Sequence, residues 1–216
     1  YNPNANIDDG SCEYAYEWTP CNNQLWFEGF ENYNSGNVIP QSSEWLLWEG
    51  TETNADIISE GFYDSNQSIL IDQQDDIVHE FLGSGGYFNS GSGELIFYIM
   101  IPSTDNSGGY FNILHDYNDS ESNWAYEVFF ASNASGEPSI VSADIDVEFN
   151  TTYDKWIEVR NVIDIDNDLV ELYYDGSLIH SWNWSEGSTE SSSVLGALNL
   201  YAGCEGLNCS SNARFD

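Results

Sequence analysis

Basic residues are almost missing. The 216-residue chain carries 3 Lys plus Arg against 37 Asp plus Glu, a formal net charge of −34. No basic stripe can form to neutralise phosphates, so nucleic acid is excluded as a direct partner. Docking on anionic lipid, which needs clustered Lys and Arg, is disfavoured for the same reason. Long apolar runs are missing too. The longest covers residues 95–101, against the ~20 residues a helix needs to cross a bilayer, so no membrane insertion is expected. The first twenty residues are polar and lack the basic start of a secretory signal. Helical patterning is absent as well: no window of eleven or more residues keeps apolar side chains at i, i+3, i+4 and i+7 without an intervening Gly, Asn or Ser. Cysteine is absent from positions 22–203.

What is present is a core. Hydrophobic residues are 41% and aromatics 15% of the chain, well above the content of a disordered acidic tail. The length suits one all-β domain, a class that reaches ~200–250 residues. Short aromatic and β-branched runs alternate with Gly, Asn, Asp and Ser clusters. They predict strands at 25–31, 45–49, 68–71, 77–81, 94–101, 110–116, 125–131, 139–141, 144–149, 156–164, 169–174, 178–184 and 197–201. Asp175-Gly176 is a two-residue hairpin signal, and Asp166-Asn167-Asp168 joins two more strands. Residues 156–184 therefore read as a three-stranded meander. The run 95–101 does not alternate, which predicts a central strand covered on both faces. So many short strands predict an all-β, two-sheet antiparallel jelly-roll sandwich. The first residues lack this pattern, which divides the chain into a loop module at 1–22 and a sandwich at 23–216.

The four cysteines, Cys12, Cys21, Cys204 and Cys209, lie in two close pairs. Four cysteines allow three connectivities; proximity favours Cys12 with Cys21 and Cys204 with Cys209. Disulfides would place the chain in an oxidising, extracellular or cell-surface setting. Sequons occur at Asn66, Asn118, Asn133, Asn150, Asn183 and Asn208; in a chain so rich in Asn, Ser and Thr, several arise by chance.

Two stretches carry resemblances. YNPNANIDDGSCEY, residues 1–14, resembles the acidic Asn-Pro-x-Ala-x-x-Asp-Asp-Gly-Ser-Cys repeats of secreted and surface proteins of Bacteroidetes, themselves akin to thrombospondin type 3 calcium repeats. Those repeats usually hold a further cysteine upstream, so the resemblance implies a chain cut from a longer protein. It also leaves Cys12 an upstream cysteine as an alternative partner. The string DKWIEVRNVIDIDNDLVELYYDGSLIHSWNWS, residues 154–185, is similar to the closing strands of laminin-G-like and concanavalin-A-like domains. The final NARFD resembles the approach to a last strand running past Asp216.

Several residues are candidates for chemistry. Asn4, Asn6, Asp8 and Asp9 offer alternating side-chain oxygens before Gly10, a pattern that can wrap calcium, which wants six to eight oxygens; the alternative is an Asx-rich turn. Asp164, Asp166 and Asp168 repeat the alternation, but turn formation explains them as well. Asp144, Asp146 and Glu148 alternate like the acids of jelly-roll glycosidases; a solvated strand face explains them more simply. His115 beside Asp116 reads as a partly charged surface pair. Trp182 and Trp184 point to one face, where exposed rings would stack on sugars and buried rings would fill the core.

The expectation is a non-enzymatic, calcium-assisted structural or adhesive module, with copies of itself or other surface proteins as partners. The alternative is a carbohydrate-binding module. A jelly-roll glycosidase ranks below both.

Overall fold

A computed structural model describes residues 26–49, 55–61, 65–72, 75–83, 86–104, 107–118, 121–187, 192–202 and 210–216. The four cysteines and the loop module at 1–22 lie outside them. Two antiparallel sheets make a jelly-roll sandwich. The first sheet runs β1 (Gly36–Asn37), β3 (Asp56–Ile58), β4 (Ser68–Asp72), β17 (Ser210–Phe215), β8 (Ser92–Met100), β13 (Trp156–Asp164), β14 (Leu169–Tyr174), β15 (Ser177–Trp182). The second runs β12 (Asp146–Phe149), β11 (Ser139–Ser142), β10 (Asn123–Phe130), β9 (Ser107–Asp116), β16 (Ala197–Tyr201), β5 (Asp76–Glu80), β2 (Trp45–Leu47). A short parallel contact links the sheets, Ser210 with Ser107 and Ser211 with Gly108. β6 (Leu82–Gly83) and β7 (Gly86–Tyr87) form a separate hairpin.

Period-two alternation sorts the side chains. β13 is the clearest case: Ile157, Val159, Asn161 and Ile163 are buried, while Trp156, Glu158, Arg160, Val162 and Asp164 face outward and stay partly exposed. The facing layer comes from Phe111, Ile113, Tyr126, Val128 and Phe130 of the second sheet. Aromatic edges interlock between the sheets, Tyr126 on Trp182 at 5.0 Å and Phe97 on Phe111 at 4.9 Å, both near perpendicular, the arrangement the ring quadrupole favours. Where β17 slides along β9, a Cβ on Gly109 would lie 3.0 Å from that of Ala213, so glycine there permits the close approach.

The meander at 156–184 forms as expected, and Asp175 and Gly176 adopt φ of 50° and 71°, the left-handed pair of a hairpin turn that matches strand twist. Three expectations change. Residues 26–31 are not a strand: Phe30 has φ 58°, and its amide donates to the Glu28 carboxylate at 2.7 Å, closing a turn. The final NARFD, expected to lead into a last strand, is itself in that strand: β17, whose Ser, Asn and Ala give little strand propensity, is held in place by β4 and β8 on either side. β8 is central, but Ile96 is 46% exposed, so only its second half is covered on both faces.

Within the core, Tyr126 donates its hydroxyl to Asn161 Oδ1 at 2.5 Å, and the Asn161 amide donates to the Leu95 carbonyl at 3.0 Å. The bond joins β10 of one sheet to β13 of the other, with both side chains fully buried. Tyr126→Phe leaves the Asn161 oxygen without that donor. We expect a loss of about 1–3 kcal/mol in denaturant unfolding, the cost of a buried acceptor left unmet. Unchanged stability would show that the tie contributes nothing.

Candidate functional site

The second sheet has an outer face that is not fully wet. Val78, Leu114 and Ala197 point away from the main core yet are buried, under Trp48, Tyr117 and Trp124. These three rings sit 5.1 and 5.8 Å apart around Trp48. Trp45, three residues before Trp48, lies in the main core, as strand alternation requires. The face therefore carries a small apolar patch covered by an aromatic wall.

Next to this wall a polar row crosses the sheet. Val78, Asn199, Asn112 and Glu127 are register neighbours on β5, β16, β9 and β10. Two residues along lie Asp76, Tyr201, Tyr110 and Phe129. Asp76 pairs Tyr201, and Tyr110 pairs Phe129. Tyr110 contacts the rings of both Tyr201 and Phe129, at 5.8 and 4.9 Å. One chain of hydrogen bonds links the rows. Asn199 Nδ2 donates to Asp76 Oδ1 at 2.7 Å and to the Ile77 carbonyl at 2.9 Å. Asn112 Nδ2 donates to Asn199 Oδ1 and to the Tyr110 hydroxyl, each at 2.8 Å. Tyr110 donates to Glu127 Oε1 at 2.8 Å. Asn112 is 1% exposed, and its Oδ1 accepts nothing.

Electrostatics follow from this geometry. Burial pushes Asp76 from the ordinary 3.8 up to about 6, against the lowering effect of the Asn199 bond. Burial, and then the neighbouring Glu127 charge, raises Tyr110 well above the usual phenol value. An ionised carboxylate only accepts hydrogen bonds, whereas a protonated one also donates, so Asp76 changes role within a mildly acidic range.

The residues singled out from the sequence fall elsewhere. Trp182 and Trp184 are 5% and 1% exposed. They fill the core, Trp182 at the end of β15 against Tyr126 and Trp184 just beyond it against His115, and neither offers a face for stacking. His115 is fully buried, not a surface pair: its Nδ1 meets the Val194 carbonyl at 2.9 Å and its ring edges onto Trp184, and burial lowers its pKa. Asp116, the next residue on β9, points the other way by strand alternation.

The three aspartates of the 164–168 turn do not converge. Asp164 takes the Asn167 amides, Asp166 the Gly91 amide and Asp168 the Ser185 amide and hydroxyl. Asp146 and Glu148 stand exposed on the β12 edge, while Asp144 meets His180 Nε2 at 2.8 Å. The calcium candidates Asn4, Asn6, Asp8 and Asp9 lie outside the described residues, among which no cluster of three or more His, Cys, Asp or Glu is placed to hold a metal.

The row at Asn112 and Asn199 was missed. Its signal was a single Asn set between apolar neighbours in each of two strands, Phe111-Asn112-Ile113 and Leu198-Asn199-Leu200.

No family model matches the sequence, and no curated protein matches it. Solved structures do match in shape. An endo-β-1,4-glucuronan lyase from the fungus Trichoderma reesei superposes with a TM-score of 0.55 at 9% identity, over 85% of this chain and 91% of the lyase. The carbohydrate recognition domain of Emp46p, in its metal-free form, gives 0.50 at 11% identity, over 88% and 96%. A sialidase gives 0.50 at 8% identity over 86% of this chain, which spans only 18% of the sialidase's length. At these identities the likeness defines the fold class, a concanavalin-A-like sandwich, and nothing finer. It also corrects one expectation. The module was read as non-enzymatic, yet this fold is shared with enzymes, the lyase across nearly its whole length, so the architecture gives no ground for that reading.

Asp76 has a stability consequence. The folded chain holds its proton to higher pH than the unfolded chain, so folding takes up a proton between pH ~4 and ~6. Its contribution to stability is present below that window and lost as pH rises through it. The difference amounts to about 3 kcal/mol for a shift from 3.8 to about 6. Asp76→Asn should therefore gain on the wild type by about that amount between pH ~4 and ~7 in denaturant unfolding. A constant difference between the two proteins would show that Asp76 titrates normally.

Proposed function

We propose that this chain binds carbohydrate on the outer face of its second sheet. One observation carries the reading: a buried, hydrogen-bonded polar row, Asp76–Asn199–Asn112–Tyr110–Glu127, set between two groups of aromatic rings. Sugars are held by such pairs of surfaces, with ring faces packing on aromatic side chains and hydroxyls meeting fixed polar groups. Tyr201 is 38% exposed above this row and supplies a ring face. The shape likeness to a domain named for carbohydrate recognition supports the same reading.

The wider setting we propose is extracellular, at a cell surface, with an adhesive role that engages glycans, further copies or other surface proteins. Calcium at Asn4, Asn6, Asp8 and Asp9 belongs to that proposal and rests on the sequence pattern.

Calorimetric titration with a panel of neutral, amino and acidic oligosaccharides tests the binding. We expect at least one class to bind, and Tyr201→Ala to weaken it about tenfold, or ~1.4 kcal/mol. The proposal is lost if no class binds, or if a folded Tyr201→Ala protein binds like the wild type.

A further inference from the structure

The donors of the polar row are already in use. Both Asn199 amide hydrogens are engaged, one by Asp76 Oδ1 and one by the Ile77 carbonyl. Both Asn112 amide hydrogens are engaged, by Asn199 Oδ1 and the Tyr110 hydroxyl. The Tyr110 proton goes to Glu127. What the row offers a ligand is acceptors, the part-buried carboxylates of Asp76 and Glu127 at its two ends; between them, beneath the surface, Asn112 Oδ1 has no donor. A buried acceptor in that state is met by a donor from elsewhere.

Positive charge is absent from this face. The chain's three cations are Lys155, Arg160 and Arg214. Arg160 and Arg214 project from the outer face of the opposite sheet, and Lys155 immediately precedes β13 of that sheet. Arg160 is paired there with Glu94 and stacked over Tyr173, and Arg214 is paired with Glu60. A uronate or sulfated sugar entering the acidic face would meet like charge with no counter-ion. A neutral sugar would take carboxylates out of water without balancing them, which is costly. A protonated amine brings both the missing donors and the missing charge.

We propose that the outer face of the second sheet selects glycans that carry free amino groups, polymers of glucosamine or galactosamine, over neutral and acidic ones. This inference rests on the glycan-binding reading above and names its ligand class. Asp76 and Glu127, at the two ends of the row, hold ammonium groups, and Tyr201 packs against a ring.

The test is calorimetric titration at about pH 6.5 and fixed salt with hexamers of glucosamine, N-acetylglucosamine, glucose and guluronate. Three proteins are compared: wild type, Asp76→Asn, and Glu171→Gln, which removes the same charge from the opposite sheet. The glucosamine hexamer should bind at least about tenfold tighter than the N-acetylated and glucose hexamers, with no heat from guluronate. Asp76→Asn should remove most of that preference, and Glu171→Gln should keep it. Equal binding of the neutral hexamers, or any binding of guluronate, overturns the amine selectivity and leaves glycan binding standing. Equal weakening by both variants also overturns it, since attraction would then come from net charge alone. Silence from every sugar overturns the glycan-binding reading itself.

Discussion

The hydrogen bond from Tyr126 to Asn161 fixes how the two sheets face each other. It lies fully buried in a core otherwise built from aliphatic and aromatic side chains. Apolar packing is tolerant of small slips, because one branched side chain can replace another in a contact. A buried amide is not tolerant, since it must find its partner or stand unmet at a cost of several kcal/mol in the worst case, roughly 1–3 in proteins. The bond therefore sets β10 over β13. Once Tyr126 points inward, strand alternation turns its neighbour Glu127 outward, and Glu127 then ends the polar row on the outer face. One interior contact thus bears on the orientation of the surface site.

That site depends on a second constraint, the distribution of charge. With a net charge of −34, repulsion opposes compaction. Most carboxylates answer this by staying on wet surfaces, as Asp146 and Glu148 do. Others work as turn acceptors, as in the 164–168 turn. Asp76 does neither. It sits partly buried with a pKa of about 6, and the Asn199 bond does not offset its loss of hydration. A group kept at such a cost in one hydrogen-bonded row with an unmet amide oxygen departs from the local rules obeyed elsewhere in the fold, and such departures gather at functional positions.

Much of the architecture was legible in the chain. Strand runs, the Asp-Gly turn and the meander follow from alternation and turn chemistry, which act between near neighbours. The misses share a cause. The 26–31 segment is rich in aromatics, as a strand would be, but Glu28 captures the Phe30 amide and bends it. β17 is poor in strand formers and exists because two neighbouring strands supply its hydrogen bonds. Trp182 and Trp184 stand two residues apart, yet spacing alone does not say whether a ring is wet; β15 ends at Trp182, and Tyr126 and His115 cover the two rings.

The sequence by itself determined the fold class, the excess of acid, the shortage of base and the alternation that divides every strand into two faces. These are properties of composition and of spacing along one strand. Only the tertiary structure decided which strands lie side by side, and hence that Asp76, Tyr110, Asn112, Glu127 and Asn199, drawn from four strands, form one row. In the chain Asn112 lies between Phe111 and Ile113 and Asn161 between Arg160 and Val162, each a polar residue on a strand. Asn161 became an interior tie and Asn112 part of a surface row because the second sheet covers one and turns the other away. That distinction is set by long-range pairing, which no local pattern encodes.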